Sequence, residues 1–70
     1  MKYAIILEKS DTGFSAYSPD LPGCVSAGDT PEETESNMRE AIEAHIELMR
    51  EEGMPVPQPV TRVGYVEVAA

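Results

Sequence analysis

A helix start is written into Thr30-Pro31-Glu32-Glu33 more plainly than any other local structure in the chain. Thr30 is a good N-cap, and Pro31 suits the first helical position because the N–H it lacks would have no partner there. Glu33 completes a Thr-x-x-Glu capping box. Glu32, Glu33 and Glu35 bring negative charge to the positive end of the helix dipole. Met38, Ala41, Ile42, His45, Ile46 and Met49 follow at three- and four-residue spacing, which predicts one apolar face. Gly53 has the composition of a helix stop, and Pro55 prevents a restart. Everything else must be built from the short segments on either side.

Those segments read as strands. Lys2–Glu8 is rich in β-formers, with Tyr3, Ile5 and Leu7 on one face and Ala4 and Ile6 on the other. Lys9-Ser10-Asp11-Thr12-Gly13 has the length and polarity of a hairpin connector, and Phe14–Ser18 alternates as a second, antiparallel strand. Pro19-Asp20-Leu21-Pro22-Gly23 interrupts the pairing, because proline cannot donate to a ladder. Cys24–Ala27 is a short third strand ending at Gly28. Beyond the helix, Pro55, Pro57 and Pro59 predict a stiff extended connector, and Val60–Val68 a last strand.

The predicted order is β-β-β-α-β, a single α+β domain over residues 1–70. It has one mixed four-stranded sheet with one long helix on one face. An up-down-up meander followed by a helix makes the fourth strand parallel to the first, and right-handed crossover keeps the helix to one side. The opposite face, carrying Ala4 and Ile6, is left uncovered. Exposed apolar surface of that kind marks an interaction site.

Composition narrows the function. Five Lys+Arg stand against thirteen Asp+Glu, a formal charge of −8 and a pI near 4.3. Nucleic-acid binding rests on basic side chains neutralising phosphates, so direct DNA binding is not expected; a partner with a basic surface is attracted instead. Domains below roughly 70–80 residues usually need disulfides, a metal or self-association. Cys24 is the single cysteine and His45 the single histidine, which leaves self-association, and a homo-oligomer is expected. The start of the chain has no charged-then-apolar leader and no apolar run spans a bilayer, so a cytoplasmic location without membrane contact is expected.

No catalytic, metal or cofactor residues are assigned. Cys24 and His45 lack a third orienting group and an oxyanion site, and Cys24 reads as a small semi-buried residue after a Pro-Gly turn. His45 reads as an edge-of-core histidine. Glu8, Asp11, Asp20 and Asp29 invite a metal-dependent nuclease using Glu8, Asp11 and Asp20, yet Asp11 and Asp20 sit where turns favour aspartate. Glu40, Glu43, Glu47, Glu51 and Glu52 form either a solvated helix face or a dock for a basic partner.

The strand Tyr3–Leu7, the run Gly13-Phe14-Ser15-Ala16-Tyr17, the turn Ser18-Pro19-Asp20-Leu21-Pro22-Gly23-Cys24 and the helix lead Ala27–Glu33 occur together. This series resembles the N-terminal domain of HicB-type antitoxins, over nearly the whole chain. The resemblance implies a degenerate, partial ribonuclease H-like fold without the acidic metal cluster. It also implies a partner, a small basic HicA-type toxin that cleaves messenger RNA, neutralised by direct masking in a type II toxin–antitoxin system. Fuller members add a C-terminal DNA-binding module, and these 70 residues hold none. A stand-alone oligomeric module without a toxin is the alternative. Partner contacts are expected from Ala4, Ile6, Tyr17, Pro19, Asp20, Leu21, Glu43 and Glu47.

Overall fold

In the computed structural model, which describes all residues 1–70, the element order is β1 (Ile6–Lys9), β2 (Phe14–Tyr17), β3 (Val25–Gly28) and α1 (Pro31–Glu51). The strands make one antiparallel sheet in the order β1-β2-β3. Cα pairing runs Ile6↔Tyr17↔Val25 and Leu7↔Ala16↔Ser26, so one row of side chains faces α1 and the next faces away.

The core is small. Ala16, Leu21, Cys24 and Met38 are buried, with Tyr3, Ile5, Leu7, Ala41 and Ile42 packed against them. Tyr3, Ile5 and Leu7 therefore face the helix, as their alternation predicts. Every member of the predicted helical stripe is buried or half-buried. Ser18 and Thr34 are the buried polar residues, and both are satisfied: Ser18 Oγ donates to the Ala4 carbonyl (3.0 Å) and Thr34 Oγ1 to the Thr30 carbonyl (2.7 Å).

The helix begins and ends as its sequence dictates. Thr30 Oγ1 accepts from the Glu33 N–H at 3.1 Å. The Glu33 carboxylate reaches back one residue further than in the usual box, accepting from the Asp29 N–H at 2.9 Å. At the other end the Met54 N–H donates to the Met49 carbonyl and the Gly53 N–H to the Arg50 carbonyl. This is the paired pattern of a Schellman motif, with Gly53 at φ +69°.

The fourth strand is where the sequence expectation fails. Residues 60–68 form no strand, so the sheet has three strands and is antiparallel rather than mixed. Two hydrogen-bonded anchors explain why. Tyr3 OH donates to the Pro57 carbonyl at 2.6 Å, and Thr61 then donates to both carboxylate oxygens of Asp20, N–H to Oδ2 at 3.0 Å and Oγ1 to Oδ1 at 2.8 Å. Asp20 lies between β2 and β3. The proline-stiffened connector is thus carried past the end of the sheet instead of back along β1.

Candidate partner-binding surface

The motif that interrupts the sheet is a double turn. Leu21 N–H donates to the Ser18 carbonyl, and Cys24 N–H to the Leu21 carbonyl. Pro19 and Pro22 each occupy the second position of such a turn, where their fixed φ fits. Gly23, at φ +82°, supplies the positive φ that a type II turn needs in its third position. The two turns drive Leu21 into the core, where it is 0% exposed, and turn Asp20 toward Thr61. Of the expected contact residues, Leu21 is therefore core, Asp20 is occupied by Thr61, and Pro19 stays on the surface.

The Asp20 carboxyl is held below the usual carboxylate range, first by the Thr61 N–H, then by the Thr61 hydroxyl; desolvation acts weakly the other way. A lowered native pKa means that the tether is fully present above the unfolded carboxylate pKa and is lost as pH falls through the native value. Amide exchange at Thr61 is therefore expected to be flat between about pH 5 and 8, once corrected for intrinsic rates, and to lose protection below about pH 4. Asp20→Ala should reproduce that loss at neutral pH. Protection at Thr61 that survives Asp20→Ala would refute the tether.

The sheet face turned away from α1 carries the row Ile6–Tyr17–Val25. Tyr17 is 41% exposed and Val25 66%, with Ile6 and Ala4 half-buried. No strand covers this row, and Val25, at the β3 edge, also borders a hollow lined by Ala44, His45 and Leu48 of α1. Ala4, Ile6 and Tyr17 are thus grouped as their alternation predicts. Val25, which the β2–β3 register sets opposite Tyr17, belongs with them. Glu43 and Glu47 lie elsewhere, on the rim of a groove of about 920 Å³ beside the start of β1. Tyr3, Ile5, Ile42 and Ile46 give this groove its apolar lining.

The candidate chemistry is not assembled. Glu8 and Asp11 sit at the hairpin end of the sheet and Asp20 at the other, and no three His, Cys, Asp or Glu side chains come close enough to hold a metal ion. Cys24 and His45 line one shallow hollow with Ala44 and Leu48. Burial pushes the Cys24 thiol up, opposite to what a nucleophile needs. No helix is long and apolar enough to cross a membrane.

Residues 3–68 match the family model described as the HicB-like antitoxin of bacterial toxin–antitoxin systems. The chain belongs to this family. Its relatives include an uncharacterized 14.9 kDa protein of Haemophilus phage HP1, 47% identical over 58 residues that make up 83% of this chain and 44% of that protein. Antitoxin HicB 2 of Photorhabdus laumondii is 31% identical over 71 residues, covering all of this chain and 51% of the relative. Among solved structures, a chain of a HicA3 and HicB3 toxin–antitoxin complex superposes with a TM-score of 0.74 at 40% identity, over 86% of this chain and 70% of that one. The HicB-like chain thus spans about half the length of these two curated relatives. The double turn and the capped helix, which carry the resemblance, prove to be the parts that build the small core.

Proposed function

We propose that this HicB-like chain is the antitoxin of a toxin–antitoxin pair, acting in the cytoplasm to neutralise a small basic messenger-RNA-cleaving toxin of HicA type by covering it. The observation that carries the proposal is the uncovered apolar row Ile6–Tyr17–Val25 on a molecule of net charge −8. An apolar patch supplies the desolvated centre of an interface, while long-range attraction speeds the approach of a basic partner. Family membership and the likeness to a chain from a toxin–antitoxin complex support the same reading. Masking needs neither an activated nucleophile nor a metal.

Co-expression with a HicA-type toxin is the test. The native chain should restore growth that the toxin arrests. The double substitution Tyr17→Glu with Val25→Glu should fail to do so while leaving the helical circular dichroism unchanged, because both side chains already meet solvent. Growth arrest that persists beside the native chain, or rescue that is indifferent to the double substitution, would count against this surface as the docking site.

A further inference from the structure

We infer that the segment Arg62–Val68 is a donor strand for a second copy of the chain, laid along the β1 edge of that copy and over the groove between its residues 1–5 and α1. Three features bear on this pairing.

The first is the segment itself. Val60, Val63, Tyr65, Val66 and Val68 are all exposed, Tyr65 at 93% and Val66 at 86%, in a stretch rich in strand-forming residues yet in no strand of its own chain. An extended apolar segment with a free row of backbone donors and acceptors is a template for pairing. The segment is also locally neutral, because Arg62 and Glu67 balance, so it has no charge that would direct it to a basic partner.

The second is an acceptor of matching shape. β1 is an edge strand, and the groove of about 920 Å³ opens just before its first residue, with Ile5, Ile42 and Ile46 in an apolar floor that six charged side chains surround. A fourth strand next to β1 would drop alternate side chains there. The chain's own segment is held away by the Asp20–Thr61 tether, so the strand must come from another molecule.

The third is surface area. A compact monomer of 7.6 kDa should expose about 4,300 Å², and this chain exposes 5447 Å². The excess of about 1,100 Å² exceeds the roughly 800 Å² that each partner buries in a stable interface. The radius of gyration tells the same story, 13.7 Å against about 11 Å for a compact chain of this length. Each copy holds one donor strand and one acceptor edge. A two-fold pair therefore satisfies both at once and closes.

Sedimentation of the native chain at micromolar concentration should give twice 7.6 kDa. Tyr65→Glu combined with Val66→Glu should weaken association by more than about tenfold, a change of about 1.4 kcal/mol. Far-UV circular dichroism should stay unchanged, because both residues are solvent-exposed in the single chain. In a mixture of isotopically labelled and unlabelled chains, contacts from Val63–Val68 to the Ile42 and Ile46 methyl groups should run between molecules. The inference is overturned by a native monomer, by a dimer that survives the double substitution, or by contacts that are only intramolecular. Ordering of the segment only when a HicA-type toxin is added would overturn it equally. None of these measurements requires a toxin to be the true partner, so failure here and failure of the antitoxin reading are separable.

Discussion

Leu21→Ala is expected to lower stability by about 2–5 kcal/mol, the cost of deleting a buried leucine side chain where the surroundings cannot collapse. The total for a domain of this length is about 4–10 kcal/mol, so the variant should be largely unfolded near physiological temperature. The size follows from how few residues share the burden. Six of the 70 are buried, and Leu21 and Met38 are the largest apolar ones at 0% exposure. Leu21 also projects from the turn whose neighbour Asp20 holds Thr61. Its loss should free the connector before the sheet melts. Urea denaturation followed by circular dichroism measures the first effect, and amide exchange at Thr61 the second. A midpoint within error of the native chain would show that Leu21 does not anchor the core. Pro19→Ala, on the exposed side of the same turn, should cost far less.

The second large effect is expected from Gly28→Ala. A Cβ added to Gly28 would lie 2.8 Å from the backbone nitrogen of Thr34 and 2.8 Å from its Oγ1. Thr34 cannot yield, because it is fully buried and its hydroxyl is bound to the Thr30 carbonyl within the first helical turn. Relief requires β3 and α1 to separate, and overpacking of this kind costs about 1–3 kcal/mol. The lowered denaturation midpoint should be accompanied by loss of protection in the first turn of α1. Ala27→Ser, one residue away and exposed on the other face, serves as the control and should change little. Equal stability of Gly28→Ala and native chains would contradict the close approach of strand and helix.

Much of this architecture is legible in the residues themselves. The capping box at Thr30, the apolar stripe from Met38 to Met49 and the Gly53 stop each act within one or two turns of chain, so local chemistry suffices to place them. The face assignment of Tyr3, Ile5 and Leu7 follows from strand parity. The fate of residues 60–68 does not. Their composition says strand, and where that strand pairs depends on a contact between Thr61 and Asp20, 41 residues apart, that no local pattern announces. Leu21 is illegible for a related reason. A leucine among two prolines, a glycine and an aspartate looks like surface, and two consecutive turns bury it. Val25 could have been grouped with Tyr17 by parity, had the register between β2 and β3 been known.

The most direct test of the antitoxin reading is to titrate the purified chain into a HicA-type ribonuclease while following messenger-RNA cleavage and complex formation on a sizing column. Cleavage should fall to background at a fixed stoichiometric ratio, with both proteins co-eluting. Association should slow several-fold from low to physiological salt, as screening shortens the reach of the −8 charge. Undiminished cleavage with the two proteins eluting apart would contradict it.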